Sequence, residues 1–196
     1  MKYCIISVND KREENKNRIR AVMGEDELMI KSFNGNSEED VSLFRRLYPE
    51  FDLNRYLENP VFMVRNNRRN GEIGCWMSHF HIWNYMVNNA IPYMMTIEDD
   101  CMLDDVTKQL MARVVIPNSD KFLMLGDWTE AMYLTNNRAN LLIENCYEHG
   151  FLRMPIDEYL FTVIRSVPDF GAKVKVTRQL VELFGSDIET SGDNKL

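Results

Sequence analysis

Apolar residues in this chain fall into two patterns: short continuous runs rich in β-branched residues, and stretches where they recur every three or four positions. "KYCIISV" is a run of the first kind and predicts a buried strand; "DKREENKNRIRAVMG" follows with helical spacing through Ile19, Val22 and Met23 and a stop at Gly24. "ELMIKSF" predicts a second strand, cut off by the turn-forming "NGNS". Ser37 then caps "SEEDVSLFRRLY", whose acidic first turn suits the helix dipole. From Pro49 to Asn70 the periodicity is weak and the stretch reads as a connector. Beyond Gly71, the residues Ile73, Met77, Phe80, Asn84 and Val87 mark one helical stripe, widened by Trp76 and Trp83. "YMMTI" predicts a strand with an acidic end, "KFLMLGDW" another with a polar turn carrying Asp127, and "PIDEYLFTVIRS" a helix begun by Pro155. Alternation of strand and helix implies an α/β, Rossmann-like architecture: one domain over residues 1–185 with a mostly parallel sheet flanked by helices, then a polar tail over 186–196. Such sheets bind ligands outside the carboxyl ends of their strands, where Asn9, Glu98, Asp99, Asp100 and Asp127 fall.

Composition narrows the class. With 196 residues and 45% hydrophobic content the chain can bury a sizeable core. A net charge of −7 argues against a general binder of nucleic acid or anionic membranes, which carries a basic excess. The four cysteines, Cys4, Cys75, Cys101 and Cys146, form no CxxC pair and read as reduced, buried, small hydrophobes, not as a zinc site or disulfide framework. No apolar run is long enough to span a membrane, and "MKYCIISVND" turns polar too soon for a signal peptide, so a cytoplasmic location is the default expectation.

The chemistry concentrates in "IPYMMTIEDDCMLDD". Adjacent carboxylates repel, so a folded chain keeps them either in open solvent or around a cation. Side-chain direction has period two, which lets Glu98 and Asp100 face one ligand, and an all-oxygen pair suits Mg²⁺ or Mn²⁺. The competing reading is a solvated acidic loop, or a cap for the helix that starts near Asp104.

"GEIGCWMSHFHIWNYMVNNAIPYMMTIEDDCML" resembles the central signature of glycosyltransferase family 25, in which a Gly-x-x-x-Cys-x-x-Ser-His-x-x-x-Trp helix leads into a strand ending Glu-Asp-Asp. Gly71, Cys75, Ser78, His79, Trp83, Pro92, Glu98, Asp99 and Asp100 match in order, and "YCIISVNDKREENKNRI", "KFLMLGD", "MPIDEYL" and "GSDI" are similar to flanking family segments. Family members also carry a further strand and helix before the Pro-x-Asp-Glu segment, for which "ENCYEHGFLRMPIDEYL" leaves no room, so part of the acceptor side is expected to be missing.

The resemblance implies a GT-A-like fold, a nucleotide-sugar donor of the UDP-sugar kind, and Mn²⁺ or Mg²⁺ held by Glu98 and Asp100. It places nucleotide or diphosphate contacts at Ser7, Asn9, Arg12, Arg18, Ser78, His79 and Asp99, a solvated helix face being the competing reading for the arginines. For an inverting hexosyl transfer, Asp127 and Asp157 are the candidate bases and Glu158 a third. His79 is expected to orient the acidic loop, His149 to be a further metal ligand, and Trp128 to stack on an acceptor sugar or base. The implied partners are the nucleotide-sugar donor and a glycan acceptor on lipopolysaccharide. "VRNNRRN", residues 64–70, reads as a solvated loop or as a contact for an anionic acceptor, either phosphorylated core sugars of lipopolysaccharide or DNA with hydroxymethylated bases as in phage enzymes. Two other classes are a non-catalytic nucleotide-sugar-binding domain, suggested by the missing elements, and a Mg²⁺-dependent phosphotransferase, which lacks the Gly-rich phosphate loop it would need.

Overall fold

The computed structural model describes residues 1–8, 12–53, 69–126, 129–149 and 154–179. Its main sheet has five strands: β1 (Tyr3–Ile6), β2 (Tyr93–Glu98), β4 (Phe122–Met124), β5 (Ala131–Thr135) and β6 (Gly171–Lys173), in the order β1-β2-β5-β4-β6. β1 pairs with β2 and β4 with β6 in parallel, while β5 is antiparallel to both of its neighbours. Four strands therefore share one direction, and β5 alone is reversed within the sheet. A two-residue strand β3 (Cys101–Met102) pairs with β7 (Arg178–Gln179) beside it.

Strand alternation builds two cores. Tyr3, Ile5, Met95, Ile97, Leu123, Leu125, Ala131 and Tyr133 point to one face and pack with Ile19 of helix α1 (Glu13–Met23) and with Met111 and Val115 of α4 (Asp105–Val115). Their strand neighbours Cys4, Ile6, Met94, Phe122, Met124, Met132 and Leu134 point to the opposite face. There they meet α2 (Glu38–Leu47), α3 (Arg69–Asn88), α5 (Asn136–His149) and α6 (Ile156–Ser166). Both faces of the sheet are thus covered, which is why its strands read as unbroken apolar runs.

Helix α3 is central. Ile73, Trp76, Met77, Ser78, His79, Phe80, Ile82, Trp83 and Met86 are all buried, so only a narrow strip of the helix meets solvent. The Ser78 hydroxyl accepts from the Phe33 N–H at 2.8 Å and donates to the Gly74 carbonyl at 2.8 Å, fastening segment 33–35 to the helix. A Cβ at Gly74 would lie 2.8 Å from both the Gly35 nitrogen and the Phe33 oxygen, so only glycine admits this approach of two backbones.

Three expectations change. "ELMIKSF" forms no strand: after one parallel bridge between Tyr3 and Glu27 the chain peels away from β1, with Met29 82% exposed. That departure opens a cleft of about 400 Å³ beside β1, lined by Ile5, Ser7, Lys16, Arg20, Lys31 and Ser32 among others. Second, the supposedly absent strand and helix are present as β5, "AMYLT", and α5, one segment upstream of where room was sought. β5 is buried on both faces and α5 starts without a turn between them, so neither element carries a boundary signal in the sequence. Third, Cys4, Cys101 and Cys146 are buried as expected, but Cys75 is only half-buried and opens toward the acidic edge. The tail 186–196 and residues 54–68 of the connector lie outside the described residues.

Candidate active site

The parallel strands deliver their carboxyl ends, and β5 its amino end, to one edge of the sheet. Ser7 follows β1, Glu98 closes β2 and leads into Asp99 and Asp100, and Thr129 and Glu130 precede β5. The ladder fixes the turn: Asp99 N–H donates to the Ile6 carbonyl at 3.0 Å and Glu98 N–H to the Glu130 carbonyl at 2.8 Å.

The acidic stretch divides by role. Asp104 caps α4, its Oδ1 accepting from the Thr107 N–H at 2.7 Å, and Asp105 sits in the first turn. The helix-cap reading therefore holds for that pair, but not for the three acids at the strand end. Asp99 is buried, receiving the Ser7 hydroxyl at 2.6 Å and Arg12 Nη1 at 2.8 Å. Arg12 Nη1 also lies 3.5 Å from Asp100 Oδ2, so Arg12 is an internal counter-charge and not part of a solvated helix face. Buried Asn15 donates to the carbonyls of Asp99 at 2.7 Å and Cys101 at 3.0 Å, and Arg18 Nε donates to Asn15 Oδ1 at 3.0 Å. Arg18 therefore braces the turn through Asn15.

Glu98 turns its Oε1 toward α3, where His79 Nε2 lies at 3.2 Å and Cys75 Sγ at 3.7 Å. Burial raises the pKa of its carboxyl, but interactions with His79 and hydrogen bonds from Thr129 and Cys75 outweigh that, and the group ends below its ordinary value. Asp100 lacks such support. Its Oδ1 is buried with no hydrogen-bond partner among the described residues. Burial, reinforced by the charges of Glu98, Asp99 and Glu130 against Arg12, pushes its pKa up to about 7. A carboxylate with an unpartnered buried oxygen among three other acids fits a hard divalent cation, whose charge would relieve the repulsion and whose preference is for oxygen.

Asp157, in the first turn of α6, is half-buried; burial raises its pKa, N–H groups of its own helix lower it, and Glu98 is close enough to raise it further. Glu158 beside it is exposed. Ser78 is fully buried on backbone partners, away from the solvent side of the edge. Asn9, Asp127 and Trp128 lie outside the described residues, as does the His149 side chain. Of "VRNNRRN", Arg69 and Asn70 begin α3, Asn70 donating to Asn36 Oδ1 at 2.8 Å, and residues 64–68 lie outside.

Sequence reasoning missed Cys75 as a polar participant, Asn15, Thr129 and Glu130. Cys75 and His79 are four residues apart on a helix, a spacing that puts both on one face and was available to be read. Glu130 carried no signal, because the strand it precedes went unrecognised. Gly126 makes its place: a Cβ there would collide with the Glu130 carboxylate and crowd the Thr177 hydroxyl.

A family model described as glycosyltransferase family 25 (LPS biosynthesis protein) matches residues 1–169. The chain belongs to glycosyltransferase family 25. Among relatives of this family 25 chain is the lipooligosaccharide biosynthesis protein lic2B of Haemophilus influenzae, 26% identical over 102 residues, or 52% of this chain and 34% of that protein. The chain thus spans about a third of that relative's length. No helix among the described residues is long and apolar enough to cross a membrane.

Proposed function

We propose that this family 25 chain is a metal-dependent glycosyltransferase that moves a hexose from a UDP-sugar to a hydroxyl of a lipopolysaccharide-type glycan, with inversion, in the cytoplasm on a GT-A-like fold. The observation that carries the reading is Asp100: a crowded carboxylate, its buried Oδ1 without a hydrogen-bond partner among the described residues, at the strand edge where α/β folds bind ligands. Asp100, with the negative charge of Glu98 behind it, is the holder of Mn²⁺ or Mg²⁺. The ion supplies the positive charge that a departing nucleoside diphosphate requires. Ser7 and the cleft beside β1, with Lys16, Arg20 and Lys31, offer hydroxyl and cationic donors for the nucleotide half of the donor. Arg12, already on the acidic turn, is placed to exchange a carboxylate for a phosphate oxygen once an ion neutralises the acids. Asp157 is the base for the acceptor hydroxyl, its raised pKa strengthening it as a proton acceptor.

A non-catalytic domain was suggested by the supposed loss of a strand and helix, and β5 and α5 remove that ground. The test is UDP release from a panel of UDP-sugars with Mn²⁺ and a lipooligosaccharide acceptor. Turnover is expected, abolished by chelation and lowered on the order of 10²-fold or more in Asp100→Asn. Nucleotide binding without turnover, indifferent to metal and to Asp100, would sink the assignment.

A further inference from the structure

We propose that Cys75, His79 and Glu98 form a separate binding site for a thiophilic divalent cation of the Zn²⁺ class, on the α3 side of the acidic edge. It goes beyond the transferase reading, whose ion belongs to Asp100.

The geometry carries the proposal. Cys75 and His79 lie one turn apart on α3, and both aim at the end of β2. The Cys75 sulfur, the His79 ring nitrogen and a Glu98 oxygen all lie within 4.8 Å of one another. In a tetrahedral zinc site, bonds of about 2.0–2.3 Å put neighbouring ligand atoms about 3.3–3.6 Å apart. The protein shows 3.2 Å from His79 Nε2 to Glu98 Oε1 and 3.7 Å from Cys75 Sγ to the same oxygen. Two of the three edges between these ligands are thus already close to those of such a tetrahedron, and the third lies within 4.8 Å, before any ion is bound.

Chemistry and surroundings agree. Sulfur, imidazole and carboxylate together select a borderline ion over Mg²⁺ or Ca²⁺, which take oxygen. In the ion-free protein His79 Nε2 donates to the Glu98 carboxylate, and an ion would displace that proton; Nδ1, which has no hydrogen-bond partner among the described residues, is open to carry it, leaving the Nε2 lone pair for the metal. Asp157 adds negative charge felt by both Cys75 and Glu98, and no Lys or Arg pairs with Glu98 or Asp157 among the described residues. His79 and Glu98 are already oriented by α3 and β2, and half-exposed Cys75 leaves the ion a way in. On binding, the Cys75 thiol gives its proton to solvent, His79 Nε2 gives up the proton it shares with Glu98, a thiolate–metal bond forms, and no electron changes hands. The Thr129 hydroxyl lies beside the three ligands, 4.0 Å from the sulfur.

The test is Co²⁺ titration of the full chain under reducing conditions, followed by Zn²⁺. One equivalent should produce an intense near-ultraviolet thiolate-to-cobalt band that Zn²⁺ abolishes. The band should be lost in Cys75→Ser and kept in Asp100→Asn, which separates this site from the transferase ion. Zinc-edge X-ray absorption of the wild-type chain, independent of any variant's folding, should show one sulfur at about 2.3 Å with nitrogen or oxygen at about 2.0 Å. A missing cobalt band, a band unchanged in Cys75→Ser, or a zinc shell with no sulfur or several would overturn the proposal.

Discussion

Single residues at the acidic edge work against one another, and that conflict is informative. Asp99 is held by Ser7 and Arg12, Glu98 by His79, Thr129 and Cys75, whereas among the described residues Asp100 has only a 3.5 Å contact with Arg12 against three like charges. Asp100→Asn keeps the shape and removes the repulsion, so the metal-free protein should melt about 2–4 °C higher, the shift that roughly 1 kcal/mol produces in a chain of this size. The same variant should lose Mn²⁺-dependent nucleotide binding, measured by calorimetry. A lower melting temperature would mean that the site tolerates four carboxylates without a cation. Ser78 is the contrasting case: its hydroxyl serves Phe33 and Gly74 in the core. Ser78→Ala leaves the Phe33 N–H without its partner and should cost about 1–3 kcal/mol in urea unfolding.

Between elements, the joints are side chains that reach across. Trp76 of α3 donates to the Met154 carbonyl at 3.0 Å, tying the helix to the segment that leads into α6 and Asp157. Tyr48, which caps the end of α2, lies 2.6 Å from His81 Nδ1 of α3. Burial, aided by Lys31, holds the His81 pKa below its ordinary 6.5. The unfolded chain therefore binds a proton that the folded chain refuses, so His81 destabilises the fold as pH falls through 6.5 and is silent above it. Unfolding free energy measured from pH 7.5 down to 5.0 should drop more steeply in the wild type than in His81→Gln. Equal slopes would show that His81 is free to protonate in the folded protein.

For the whole molecule, the reversed strand β5 is the joint of the sheet. It pairs on one side with β2, which carries the acidic motif, and on the other with β4, so it joins the β1-β2 half to the β4-β6 half. Leu134, fully buried on it, contributes to the core shared with α3 and α5. Leu134→Ala should cost about 2–5 kcal/mol. It should also leave one cooperative transition in which circular dichroism and tryptophan fluorescence coincide; two separated transitions would mean that the halves fold independently.

Local information determined a good deal of this protein. Apolar runs and helical stripes marked β1, β2, β4, α1, α3 and α6, because a buried strand or helix face must be apolar at its own period. Ser37 does cap α2, accepting from the Asp40 N–H at 3.2 Å. The Glu98, Asp99 and Asp100 triplet was legible as a site, since adjacent carboxylates need a reason. Tertiary structure decided the rest. "ELMIKSF" had strand composition but lost its partner when segment 33–35 was drawn onto Gly74 and Ser78 of α3. The direction of β5 is set by the neighbours it hydrogen-bonds, which no local pattern records. The division of labour among the acids depends on which cation or donor lies within about 4 Å of each, a range at which direct charge interactions remain strong. Arg12 and Asn15 reach Asp99 across more than 80 residues of chain, and the chain meets itself there only once it is folded.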